Sequence, residues 1–190
     1  RLQGLSLSNT LQGDCEVTNI FKHLGVTTRQ LRSPYKSATH SIVIEGNNGY
    51  DKILSVNFID TPDLLPSVLV TSCVLGIEAH FRSTRNLRIK ESDRLQALQS
   101  ELHKLGAKID VGEDETTVHP VTLTPPVDGI TLCSHGDHRI AMALGVLTLR
   151  YPQVCIDHPE VVSKSFPTFW QQLHMITADG AVPPPPSPKA

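Results

Sequence analysis

Two stretches of this 190-residue chain, "TPDLLPSVLVTSCVLG" (61–76) and "GDHRIAMALGVLTL" (136–149), are apolar almost all the way round a helical projection, yet each is too short to cross a bilayer. A helix without a polar face has to be enclosed by other elements, so the chain must adopt an architecture with internal helices. Both stretches open with helix-start chemistry. Thr61 is placed to cap, with Pro62 at the first helical position, and Gly136-Asp137 opens the second helix.

The rest of the chain supplies the covering. "CEVTNIFKHLGVTT" and "RLQALQSELHKLGAKID" each run an amphipathic helical pattern into Leu-Gly and then a β-like stretch; in the second, Leu95, Leu98, Leu102 and Leu105 recur at helical spacing and Gly106 suits a left-handed cap. Short β-rich runs lie between: "HSIVIEG", "KILSVNF", "EAHFR", "LRI", "AKIDV", "TTVHPV", "GITL", "QVCID" and "EVV". A last amphipathic helix, "KSFPTFWQQLHMI", follows Val162, with Pro167 able to delay its start. The order is surface helix, strands, buried helix, strands, surface helix, strands, buried helix, strands, surface helix. That predicts a repeated α/β unit in which several small sheets surround buried helices. A doubly wound dinucleotide fold would need a Gly-rich first turn and singly alternating half-exposed helices, and neither is present.

A net charge of −2 provides no global field for nucleic acid or an anionic membrane, so any anion site must be a local cluster. No apolar run reaches membrane length, and the N-terminus has no signal-peptide pattern and no initiator Met, which suggests a processed chain or an excised fragment. Cys15, Cys73, Cys133 and Cys155 are widely spaced without a CxxC pair and read as small buried hydrophobes in a reducing cytosol. The Pro-rich segment 178–190 is expected to be polyproline II or disordered and lies outside the predicted 1–177 domain.

Charge is concentrated at element ends. In "NLRIKESDRLQAL" (86–98), Arg94 falls at the edge of the leucine stripe and Glu91, if helical, along it, so neither points to solvent. Such charges must be paired or face a cleft. One account is a local Glu91–Arg94 pair at i,i+3, worth about 0.2–0.5 kcal/mol; the other is a substrate. In "SHGDHRIAM" the free N–H groups of a helix start favour an anion, and Arg139 in the first turn opposes the helix dipole, while Asp137 also reads as an ordinary N-cap. His135-x-Asp137-His138 has metal-ligand residue types but no accompanying zinc-type spacing, and no metal is expected. Lys164 follows two apolar residues, where a lysine is commonly surface, and Asp63 sits in the first turn of an enclosed helix, where the dipole alone accommodates a carboxylate. Four such sites beside enclosed segments together suggest a cationic cleft containing two carboxylates.

"NLRIKESDRL" with "LHKLGAKI", "HGDHRIAMAL" and "VVSKSFPTFW" resemble the C-terminal globular domain of the 5-enolpyruvylshikimate-3-phosphate synthase family, and "LQGDCEVTNIFKHLGV" and "TPDLLPSVLV" resemble that family's preceding segments. The similarity runs from about Leu11 to Leu173. It implies two domains of βαβαββ units, each an inside-out α/β barrel-like body, with the active site between them. It also implies a cytoplasmic transferase that moves the enolpyruvyl group of phosphoenolpyruvate to the 5-hydroxyl of shikimate 3-phosphate on the way to chorismate and aromatic amino acids, with no cofactor or metal. By the resemblance, Arg94, Arg139 and Lys164 bind phosphoenolpyruvate, and Asp63 holds the reacting hydroxyl and accepts its proton. Glu91 handles the proton at the vinyl carbon, and Lys90 and Asn86 lie against the shikimate phosphate and the developing charge.

Nothing in this chain matches the lysine, serine pair and arginines that the family's N-terminal half supplies, so a complementary N-terminal half is an expected partner and the chain alone is expected to be inactive. Two other readings stand beside this one: a non-catalytic module of the same fold that binds phospho-anions or docks on a partner, and a domain like that of UDP-N-acetylglucosamine enolpyruvyl transferase.

Overall fold

The computed structural model describes residues 2–3, 13–31, 41–46 and 49–178, which divide into two compact units at Lys52 and Ile53. In the first, a 3-10 turn (Gly13–Glu16) leads into α1 (Val17–His23), which buries Ile20, and the antiparallel strands β2 (Val26–Leu31) and β3 (Ser41–Gly46) follow. The short β1 (Leu2–Gln3) pairs with the other side of β3.

The second unit contains a complete βαβαββ order: β4 (Ile53–Asn57), α2 (Leu65–Leu75), β5 (Glu78–Arg82), α3 (Arg94–His103), β6 (Ile109–Val111) and β7 (Glu115–Val118). The sheet runs β4-β5-β7-β6, with β4 and β5 parallel and both contacts of β7 antiparallel. A second set starts with β8 (Ile130–Leu132), α4 (His138–Gly145), the parallel β9 (Val154–Ile156) and α5 (Phe169–Ala178). The first unit's α1-β2-β3 reproduces the order α3-β6-β7, and β8-α4-β9-α5 reproduces β4-α2-β5-α3, so parts of the one complete repeat recur on either side of it.

Helices α2 and α4 are the enclosed pair. Leu65, Val68, Leu69, Val70 and Cys73 of α2 are buried, as are Ile140, Ala141, Ala143 and Leu144 of α4. Cys73 sits so deep that burial pushes its thiol up to about 12, leaving it a small hydrophobe. The leucine stripe of α3 covers the same core with Leu95, Leu98 and Leu102, and Leu105 follows it. Gly106 takes φ 88° and Gly76 φ 64°, so each ends its helix in the left-handed conformation a side chain would resist.

Four local expectations are corrected. "LRI" is a 3-10 turn (Arg85–Ile89); Leu87 is fully buried and Ile89 82 % exposed, whereas a strand would place both on one face. "EVV" is likewise a 3-10 turn (Pro159–Lys164), because His158 at φ 40° ends the extended backbone and Pro159 starts a helical turn. Thr61 makes no side-chain cap; Pro62–Leu64 is a 3-10 turn, and α2 begins only at Leu65, since Pro66 has no N–H to return to Pro62. Cys155 is exposed, and Cys15 and Cys133 are partly so. Helix α5 starts at Phe169, after Pro167 as expected. The Pro-rich segment lies outside the described residues from 179 on. Among the described residues no helix is long and apolar enough to cross a membrane.

Candidate functional site

Asp93 caps α3 by accepting the N–H of Gln96 at 3.1 Å, which makes Arg94 the first helical residue and turns its side chain inward. The guanidinium is 1 % exposed. A charge that deep must be matched, and it is. Nε donates to Asp137 Oδ2 at 2.8 Å, Nη1 to Asp63 Oδ1 at 2.9 Å, and Nη2 to Glu91 Oε2 at 2.7 Å and Asp137 Oδ1 at 3.4 Å. The planar fork of arginine suits this better than a lysine's point charge would.

Asp137 is the N-cap read from the sequence and, beyond that reading, a partner of Arg94. Its fully buried carboxylate caps α4 by accepting the N–H of Arg139 at 2.9 Å, and the same group takes Arg94 and the Ser92 hydroxyl at 3.1 Å. Burial pushes its carboxyl up, but Arg94, the Arg139 N–H and Ser92 outweigh that and hold it below the usual carboxylate range. His138, the first residue of α4, has Nδ1 4.0 Å from Asp137 Oδ1 with no hydrogen-bond partner, and burial pulls its imidazole down.

The outer part of the cluster is half-exposed. Arg139 Nη2 lies 2.8 Å from Asp63 Oδ2, and Lys90 Nζ is 3.9 Å from Asp63 Oδ1. Lys164 donates to Glu91 Oε1 at 2.9 Å, and that bond, with Glu91's own N–H, holds the Glu91 carboxyl down to about 2. Six of the seven sequence-predicted residues therefore meet in one place. Asn86 is exposed in the turn Arg85–Ile89 and makes none of the cluster's bonds.

Lys90, Arg94, Arg139 and Lys164 face Asp63, Glu91 and Asp137, an excess of one positive charge near the starts of α2, α3 and α4 and the end of the turn Pro159–Lys164. Arg139 and Lys164, with side chains 34 % and 62 % exposed, can reach a phosphate or carboxylate, and the carboxylates of Asp63 and Glu91 stand beside them. Among the described residues no group of three or more His, Cys, Asp or Glu side chains is placed to hold a metal ion, so His135, Asp137 and His138 form no such set. A surface cavity of about 470 Å³, lined by Asn57, Arg82, Ser83 and residues 112–115, shares no residue with the cluster.

Sequence reasoning missed Ser92 and His138 as members, and missed Asp137 as the partner of Arg94. It also passed over Glu101, whose i,i+7 spacing from Arg94 on the leucine face was an available signal.

The family model described as EPSP synthase (3-phosphoshikimate 1-carboxyvinyltransferase) matches residues 2–173. The chain is similar to the 3-phosphoshikimate 1-carboxyvinyltransferase of Syntrophobacter fumaroxidans, 36 % identical over 168 residues covering 88 % of this chain and 37 % of the relative. It is similar also to that of Clostridium acetobutylicum, 36 % identical over 173 residues covering 90 % of this chain and 37 % of the relative. A solved EPSP synthase from Acinetobacter baumannii superposes with TM-score 0.60 at 21 % identity, over 84 % of this chain and 38 % of that one, which shows a shared fold. The chain thus spans well under half the length of the relatives it matches.

Proposed function

Because the chain belongs to the EPSP synthase family, we propose that it forms one wall of an enolpyruvyl transferase active site, residues 1–177 being the C-terminal globular part and 178–190 a tail. The substrates are phosphoenolpyruvate and shikimate 3-phosphate, and the remaining wall comes from an N-terminal half. One observation carries this reading: Asp63 stands between Arg139, Arg94 and Lys90 while Glu91 bridges Arg94 and Lys164, so two carboxylates are interleaved with cations at helix starts. The relatives' name, 3-phosphoshikimate 1-carboxyvinyltransferase, supports this substrate class.

In this site Arg139 and Lys164 hold the carboxylate and phosphate of phosphoenolpyruvate, and Arg94 keeps the acidic groups in register behind them. Asp63 accepts the proton of the attacking hydroxyl, and Glu91 moves the proton at the vinyl carbon. Steps of this kind typically contribute about 10²–10⁴ in rate. With one wall, the site neither excludes water nor holds both substrates in line, so turnover needs the second half.

The test is a calorimetric titration of both substrates into the chain, alone and mixed with the remaining part of the Syntrophobacter fumaroxidans relative, with phosphate release followed in parallel. Anion binding by the chain and turnover only in the mixture are expected. Robust turnover by the chain alone, or no anion binding in either sample, refutes the reading.

A further inference from the structure

Glu101 takes no part in the cluster, yet its side chain is 3 % exposed, and a carboxylate so deep is costly unless its oxygens are matched. They are matched mainly to one segment. Oε2 accepts the backbone N–H of Cys133 at 2.8 Å together with Lys104 Nζ at 2.6 Å, and Oε1 lies 3.2 Å from His135 Nε2. Burial pushes the Glu101 carboxyl up, and these partners more than offset it, leaving it below the usual range.

Residues 133–137 connect β8 to α4, and this loop delivers both Asp137 and Arg139 to the cluster. Its turn uses two consecutive left-handed residues, His135 at φ 52° and Gly136 at φ 65°. The histidine is unfavourable there, so the conformation must be held by its surroundings. Asp157 takes the intervening Ser134 N–H at 2.6 Å. Arg94 grips the far end of the loop through Asp137 at 2.8 Å. Arg94 and Glu101 are seven residues apart in α3, hence on one face and about 10 Å apart along the axis. One helix face thus holds the loop at both ends, with a buried cation at one and a buried anion at the other.

On the premise that the cluster is an anion site, we propose that Glu101 is a positioning residue for it: its bonds to Cys133 and His135 fix the loop, and through the loop the places of Asp137, Arg94 and Arg139. The Nε–H of Arg94 reports this without any ligand, because it is buried and donated to Asp137. The experiment uses the 190-residue chain: NMR of the Arg94 Nε–H resonance and its exchange with water, beside the Kd of inorganic phosphate, for Glu101→Ala, Glu101→Gln and His135→Gly.

Glu101→Ala shifts the resonance, speeds its exchange and raises the phosphate Kd about tenfold, the size typical when a group supporting a ligand-binding residue is removed. Glu101→Gln restores most of both, since its carbonyl still accepts the Cys133 N–H. His135→Gly removes the ring contact and eases the left-handed strain, so it moves both readouts in the same direction without lowering Tm, and it decides the matter if Glu101→Ala does not fold. An unshifted Arg94 resonance or an unchanged phosphate affinity in Glu101→Ala or His135→Gly overturns the proposal, whatever happens to Tm. Absence of phosphate binding by the unaltered chain refutes the anion-site premise instead, and the Arg94 resonance then decides the role of Glu101 by itself.

Discussion

Replacing Asp137 with Asn removes one charge and almost no volume. Asn caps helices as well as Asp does, so the bond from the Arg139 N–H survives and the cap contributes little to the loss. What disappears is the anion facing Nε and Nη2 of Arg94, whose guanidinium is 1 % exposed and cannot be rehydrated without opening the core. Nor can it neutralise, because an arginine does not give up its proton inside a protein and Asp63 and Glu91 still face it. Breaking a buried pair from one side costs about 3–5 kcal/mol. Asp63 and Glu91 remain on the same guanidinium, so the lower end, about 3 kcal/mol, applies. At about 2–4 °C per kcal/mol for a chain of this size, Tm falls by about 6–12 °C. Trp170, the single tryptophan, lies in the unit that carries the pair, so fluorescence-monitored melting reads the relevant transition. Arg94→Met with Asp137→Asn closes a double-mutant cycle, with an expected coupling of about 2–3 kcal/mol and a double variant more stable than Asp137→Asn. A Tm for Asp137→Asn within about 2 °C of the parent refutes the reasoning, because a buried guanidinium would then have lost its main counter-ion at no cost.

Three further outcomes are expected. A Cβ on Gly145 would stand 2.8 Å from Trp170 Cη2 and 3.2 Å from Phe169 Cε1, so Gly145→Ala displaces α5 and shifts Trp170 emission to the red; unchanged emission and Tm would show that the contact yields freely. Because Glu91 titrates at about 2 rather than 4.5, chiefly through its bond to Lys164, its stabilising contribution is complete above the ordinary carboxylate range and is lost as pH falls from 4.5 toward 2; in Lys164→Met the Glu91 carboxylate midpoint, read by carbon-13 NMR, rises toward 4.5, and a parent midpoint already there rules the pairing out. On the proposed function, Arg139→Ala weakens phosphoenolpyruvate binding while changing stability by less than about 1 kcal/mol, since its pair with Asp63 is part-exposed; a large Tm loss with intact binding would mark Arg139 as structural.

The helices and longer strands were legible because their signals are periodic and locally sufficient. The all-apolar character of α2 and α4 required enclosure, and the leucines of α3 fixed its buried face. The short runs misled for a physical reason: "LRI" and "EVV" carry three residues each, too few to establish alternation, and what decides them is the backbone around Ser83 at φ 61° and His158 at φ 40°. In the site, the residue types were readable and their partners were not. Arg94 looked like an intrahelical partner of Glu91, and that bond exists, but its buried bonds run to Asp137 and another runs to Asp63, each across more than thirty positions of sequence. Pairing over that separation follows from how α2, α3 and α4 bring their starts together, which no local window contains.

Exposure then sorts the cations by what each can do. The Lys164, Arg139 and Lys90 side chains are 62 %, 34 % and 34 % exposed, and an incoming anion meets them first, whereas Arg94 at 1 % is reached last, if at all. Each outer cation is already placed against Asp63 or Glu91, so on the proposed function the binding of an anion is an exchange of partners rather than an addition of new ones. The gain is therefore smaller than three free cations would provide, because ion pairs inside the site must be given up for ion pairs to the ligand. The same exchange draws Arg139 from Asp63 and Lys164 from Glu91, the two carboxylates assigned to proton handling. Glu91, on losing the Lys164 bond that holds its carboxyl down, becomes a stronger base. On the proposed function, binding the anion and readying Glu91 to take a proton are two consequences of one set of broken contacts.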